Sequence, residues 1–348
     1  MAVGSSPQCV AVNPTTGWIY VANAGSDNVS VINGGTNAEV TRVPLNCSTE
    51  IPNCVAVNPN TNLIYVTCWN PNRVSVIDGT TNAVVATVTP GNEPRGVAVN
   101  PTTNCVYVVN NVDKTISVIN CGTPTTVPVG DYPVVVAVNA ATNRIYVANA
   151  NDNNVSVING DTNVEITKVP LTGDSPLFGI AVNEATNRVY VSNYASNDVS
   201  VIDGTNNVEV TKIPVGPYSR PGAITTNPNT NRIYVADAGD SNVWVIDGIA
   251  NTPVATVATS GRDGGIAANP NMNRIYKGND AAGTVSVIQD FPIPAVGGVA
   301  ELPAAEPDAA AAQGGSSGPH PLPLAGLAAA GALLLVTGAL YARRRWAR

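Results

Sequence analysis

The chain has 348 residues, enough for two average domains or for one large all-β domain with attachments, and its formal net charge is −7. Up to Asp290 there are 21 acidic residues against 13 basic ones, and a body of that sign repels phosphate backbones, which argues against a nucleic-acid partner. Val, Ile, Thr, Asn and Gly are abundant while Leu, Phe and Met are sparse, a balance that suits short strands and tight turns rather than helices.

The first residues, "AVGSSPQCVAVN" (Ala2 to Asn13), align position by position with "PVGDYPVVVAVN" (Pro128 to Asn139). The chain therefore starts inside a fourth strand. The expectation is a natural coding sequence that begins upstream of Met1, with the rest of that strand and a secretory signal. In the alternative, "IPAVGGVA" (Ile293 to Ala300) closes the last sheet.

One unit then recurs. Its tyrosines are Tyr20, Tyr65, Tyr107, Tyr146, Tyr190, Tyr234 and Tyr276, a spacing of about 43 residues, the size of a four-stranded propeller blade. In the unit around Asn143, "VVVAVN" is a nearly continuous apolar run that reads as an innermost strand buried on both faces. "RIYVAN" and "VSVING" follow with period-2 alternation, and the more polar "NVEITKVP" suits an exposed edge.

The turns agree. Asn-Pro at Asn13, Asn58, Asn100 and Asn227, with Asn or Gly three residues past the proline, reads as a type I turn whose asparagine bonds the backbone. Pairs such as Asn33-Gly34, Asp78-Gly79, Asn159-Gly160 and Asp203-Gly204 tolerate positive φ and turn the chain outward. Seven units predict a seven-bladed β-propeller of four-stranded antiparallel blades over residues 1–293, with the tyrosines packed between blades because no blade can bury its own faces.

The loops that lead into the first strands vary most and surround one mouth of the channel. They carry Glu93, Arg95, Asp131, Tyr132, Asp174, Tyr218, Arg220, Arg262 and Asp263, a mixture of charge and tyrosine that can bind peptide or glycan. Of the six cysteines, Cys105 opens a second strand and Cys121 ends the third, so antiparallel pairing predicts a disulfide between them. Cys9, Cys47, Cys54 and Cys68 fall near one face, and their pairing is left open.

Residues 294–321 turn to Ala, Pro, Gly, Ser and acidic residues, the composition of a solvated linker. Residues 322–348 form the last segment. Its uncharged run from Leu324 to Ala342 would span about 28 Å as a helix, against a hydrocarbon core of about 30 Å. Arg343, Arg344 and Arg345 follow, which places the arginines in the cytoplasm and the propeller outside. Leu322, Pro323, Leu324, Ala325 and Gly326 resemble the cell-wall sorting signal cleaved by sortases, LPxTG, with Ala325 in place of threonine.

The units "NRIYVANANDNNVSVINGDTNVEITKVP", "NRVYVSNYASNDVSVIDGTNNVEVTKIP" and "NLIYVTCWNPNRVSVIDGTTNAVVATV" resemble the YVTN-type β-propeller repeat of surface-layer and other secreted prokaryotic proteins. The resemblance covers about residues 2 to 290 and implies an exported binding or surface protein; related propellers include sugar lactonases and domains of redox enzymes. The Y-V-x-N motif departs at Tyr65-Val66-Thr67-Cys68, Tyr234-Val235-Ala236-Asp237 and Tyr276-Lys277-Gly278-Asn279.

Histidine-based catalysis has no support in the propeller, because His320, the one histidine, lies in the linker. The hairpins "NANDNN" and "NAGSDN" offer oxygens that calcium could use, although asparagines and aspartates commonly satisfy their own turns; no other cofactor or metal is expected. The expected function is therefore a non-catalytic extracellular propeller, tethered to the membrane through the C-terminal helix or to the wall. Its partner would be a protein or glycan of the cell envelope, or it would contribute to a surface coat. The alternative is a secreted lactonase-like or lyase-like enzyme that uses carboxylates and a metal at the channel mouth.

Overall fold

The computed structural model describes residues 1–47, 52–173, 177–261 and 264–290. Contacts divide the chain into two units, Met1–Ile293 and Pro294–Arg348. The linker, the hydrophobic span, the Leu322 to Gly326 motif and the Ile293 to Ala300 strand all lie outside the described residues. Among the described residues no helix is long and apolar enough to cross a membrane.

Seven antiparallel sheets stand in a ring, as expected for a seven-bladed propeller. Six have four strands in sequential order; the first runs Pro7–Val12, Trp18–Asn23, Asn28–Asn33 and Ala38–Pro44. Among the described residues the seventh has three, Ile266–Asn269, Arg274–Asn279 and Thr284–Gln289. The first residues of the chain lie beside its last strand: Ala2 bridges Thr284, Val3 N–H donates to Gly283 O at 2.9 Å, and Val285 N–H donates to Met1 O at 2.7 Å.

The repeated tyrosines are buried, and each packs on the next blade. Tyr146 lies with Val189, Val191 and Ile202, while Tyr276 closes the ring against Ile19, Val21 and Ile32. Such aliphatic side chains each contribute about 1.5–3 kcal/mol on burial. The outer strand Ala38–Pro44 alternates in exposure, with every second residue facing solvent.

A second set of contacts joins the blades through polar groups. Asn13, Asn58, Asn100, Asn139, Asn183, Asn227 and Asn269 are each fully buried at the end of a first strand. The side-chain oxygen accepts backbone N–H groups of its own turn, as from Thr15 to Asn13 at 3.0 Å and from Asn60 to Asn58 at 3.0 Å. The amide nitrogen donates across the junction: Asn13 to Asn62 at 2.9 Å, Asn58 to Asn104 at 2.9 Å, Asn100 to Asn143 at 2.7 Å, Asn139 to Asn187 at 2.8 Å and Asn183 to Asn231 at 2.7 Å. The accepting asparagines all have positive φ, from 49° at Asn231 to 61° at Asn104. Between blades seven and one the acceptor's place is taken by Gly17, at φ 75°, and the buried Asn269 amide nitrogen has no partner.

The turn after the third strand differs from expectation. Positive φ falls not on the Asn-Gly or Asp-Gly pairs but on Asn37, Asn82, Asn163, Asn207 and Asn251, four residues past the Asn or Asp. The glycine is required by a close approach instead. A Cβ on Gly160 would lie 2.2 Å from Asn143 Oδ1, and one on Gly34 would lie 2.5 Å from Gly17 O.

Two outcomes follow from this packing. Gly17→Asn supplies the missing acceptor in a conformation asparagine tolerates, at the cost of moving the flexible Met272 Cε, which lies 2.8 Å from the new Cβ. A net hydrogen bond of about 1 kcal/mol should raise the calorimetric melting midpoint by roughly 2–4 °C; a fall would refute the acceptor role. The second concerns alkali. Burial, helped by Asp78 near Tyr20 and Asp161 near Tyr107, raises both phenols to about 12. Because the folded values exceed the unfolded value of about 10, stability is complete below pH ~10 and falls as pH rises toward 12. Ultraviolet titration should show these tyrosines ionising with unfolding rather than before it.

Candidate binding face

In every complete blade the start of the first strand lies beside the end of the second, as in Pro7 opposite Asn23 and Pro133 opposite Asn149. Loops that enter a blade therefore share a face with its second-to-third-strand hairpin. Backbone bonds tie them together: Ala24 N–H to Ser6 O, Ala150 N–H to Tyr132 O and Ala238 N–H to Arg220 O.

Beneath the hairpins, the asparagine of the Y-V-x-N motif donates to a third-strand serine. Asn23 reaches Ser30, Asn149 reaches Ser156, and Asn193 reaches Ser200, at 2.8, 2.9 and 2.8 Å. The departures from the motif are compensated. Asp237 accepts from Trp244 Nε1 at 3.1 Å, the tryptophan standing where other blades have serine. Buried Lys277 donates to Gly261 O and Asn279 Oδ1. Cys68 is bonded to Cys47, which joins the loop leaving blade one to blade two with Cα atoms 5.6 Å apart. The expected Cys105–Cys121 disulfide is present, with a Cα separation of 4.9 Å.

Two arginine–aromatic clusters sit on this face. Arg95, at the start of a first strand, is only 2% exposed at its side chain and lies between the rings of Trp69 and Tyr132, 5.1 and 5.0 Å from their centroids. Its Nη2 is 3.7 Å from Glu93 Oε2. A desolvated cation over a ring gains on the order of 2 kcal/mol, so the stack stiffens the loops of three neighbouring blades. In the second cluster Phe178 meets Tyr194 edge to face at 4.8 Å, and the exposed Arg220 lies 5.9 Å over Tyr194.

The remaining sequence candidates are distributed around these clusters. Asp131 pairs with Lys114 at 2.9 Å, which with Asn151 holds its carboxyl below the usual range. Tyr218 is 83% exposed in the loop that carries Arg220. Asp174, Arg262 and Asp263 lie outside the described residues.

Trp69, Phe178 and Tyr194 were not among the sequence candidates. Their signal was an aromatic residue directly after the motif, Trp69 and Tyr194, where other blades have Ala24, Asn111, Ala150, Ala238 or Asp280. The hairpin oxygens proposed for calcium serve the backbone: both Asp27 oxygens accept Cys47 N–H, and Asp152 Oδ2 accepts Asp131 N–H at 2.8 Å. Among the described residues no group of three or more His, Cys, Asp or Glu is placed to hold a metal ion.

No protein-family model and no curated protein matches the chain. A solved structure of Kuenenia stuttgartiensis hydrazine synthase is similar in fold, with a TM-score of 0.75 at 17% sequence identity, covering 83% of this chain and 96% of that one. At that identity the likeness establishes the seven-bladed propeller fold and carries no activity across.

Proposed function

We propose that the protein is an exported, envelope-tethered propeller of the YVTN type that binds an envelope protein or glycan through the face described above, without catalysis. The observation that carries this reading is the pairing of two arginine–aromatic clusters on one face. Tyr194, Arg220 and Tyr218 offer ring surface, charge and hydrogen-bonding tips together, the composition of binding hot spots. The buried Arg95 holds Trp69 and Tyr132 in place, so part of this surface is ordered before any ligand arrives.

Export is supported by the two disulfides, which persist in oxidising compartments. The tether would be the uncharged segment from Leu324 to Ala342, retained as a helix or cleaved at the Leu322 to Gly326 motif.

The full chain in detergent, immobilised and exposed to solubilised native envelope, should retain a defined protein or glycan. Tyr194→Ala, Arg220→Ala and Tyr218→Ala should each weaken retention by about 10-fold, as expected for hot-spot residues, with melting midpoints unchanged. Equal retention by all three variants would refute this face. Turnover of a lactone panel that is lost in Glu93→Gln would favour the enzyme instead.

A further inference from the structure

Cys9 and Cys54 hold the same place, third in the first strands of blades one and two. The other blades have Gly96, Val135, Gly179, Ala223 and Gly265 there. This preference for small residues has a geometric cause. A Cβ on Gly96 would lie 2.9 Å from Val135 Cα, and one on Gly265 would lie 2.6 Å from Cys9 Cα, so at this level each first strand abuts the backbone of the next.

Cysteines at two successive places in such a column meet across the junction. Their sulfurs are 2.9 Å apart, and a disulfide would draw them to about 2.05 Å. The surroundings fix both residues. Val55 N–H donates to Cys9 Sγ at 3.2 Å, Cys54 N–H donates to Thr67 Oγ1 at 3.0 Å, and Thr67 Oγ1 donates to Arg95 O at 2.6 Å. Both cysteines are partly exposed, whereas Cys47 and Cys68 are fully buried.

We propose that Cys9 and Cys54 are a redox-responsive modification site, a bond between the innermost strands of blades one and two that closes by exchange with a disulfide-bearing oxidant and opens with thiols. In closing, the Cys54 thiolate attacks one sulfur of the external disulfide, forms a mixed disulfide and releases one thiolate. Cys9 then loses its proton to solvent and attacks Cys54 Sγ, which releases the second thiolate. Two protein thiols are oxidised by two electrons, and the external disulfide is reduced to two thiols. The hydrogen bond between the two sulfurs favours this order: it lowers the Cys54 thiol and, with burial, raises that of Cys9. Partial exposure lets an external thiol reach this bond before the fully buried Cys47–Cys68 bond.

The test uses the full chain incubated with glutathione disulfide, its free thiols then alkylated and its peptides mapped without reduction. A peptide joining Cys9 to Cys54 is expected. Mild dithiothreitol should open it while Cys47–Cys68 stays closed, lowering the melting midpoint by roughly 5–10 °C. Cys9→Ser should leave Cys54 carrying a stable glutathione adduct. Full alkylation of both thiols in the oxidised wild-type chain, or their linkage to other cysteines, would overturn the proposal. Mapping the wild-type chain decides this by itself if the variant does not fold.

Discussion

The propeller depends on a buried amide that bridges six of its seven junctions between blades. The asparagine that ends a first strand has no access to water, so every polar atom it carries must find a partner or cost about 1–3 kcal/mol. Its oxygen is used by its own turn, and its nitrogen must therefore reach the next blade. This fixes the angle and height at which neighbouring sheets meet, which apolar contacts alone leave loose. The tyrosines supply area; the asparagines supply register. Between blades six and seven, Asp290 strengthens the link by accepting from Asn227 at 2.7 Å, Thr230 at 2.6 Å and Arg232 at 2.9 Å.

That division of labour frees the opposite face. With junctions set at the far end of the first strands, the entering loops and hairpins can vary without loosening the ring. Where variation touches the buried layer, a second change accompanies it. Asp237 comes with Trp244, which donates to it. Cys68 gives up the amide contact and gains a covalent one to Cys47. The aromatic residues at Trp69 and Tyr194 lie one step beyond that layer, where substitution is tolerated and a rigid scaffold can present them.

Blade number, strand order and the inter-blade place of the tyrosines were legible because they follow from periodicity, which a single sequence displays repeatedly. The Cys105–Cys121 bond was legible because both positions flank adjacent strands of one blade, where register is local. Cys47–Cys68 was not, since it joins a loop to another blade. The role of Gly34 and Gly160 was misassigned for a related reason: a turn can be read locally, but the oxygen that approaches each glycine belongs to a neighbouring turn of the same blade. The arginine stack was half legible. Glu93, Arg95 and Tyr132 stood out as loop residues, yet only the fold shows that Arg95 is buried beneath Trp69.

The distribution of cross-links has a mechanical logic. The junction between blades seven and one is closed by the first residues of the chain, which pair with the last strand of blade seven before Pro7 enters blade one. That junction has contacts of its own, including Arg274 to Gly34 O at 2.6 Å and Asn271 to Pro14 O at 2.7 Å. It nevertheless lacks the amide bridge, because Gly17 has no side chain to accept from Asn269. Were it to part, blade one would keep its chain link to Ala2 and Val3 on blade seven and its contact with blade two. The disulfide from Cys47 to Cys68 spans that contact, so an opening at the seam cannot propagate without breaking a covalent bond or unfolding blade two as well.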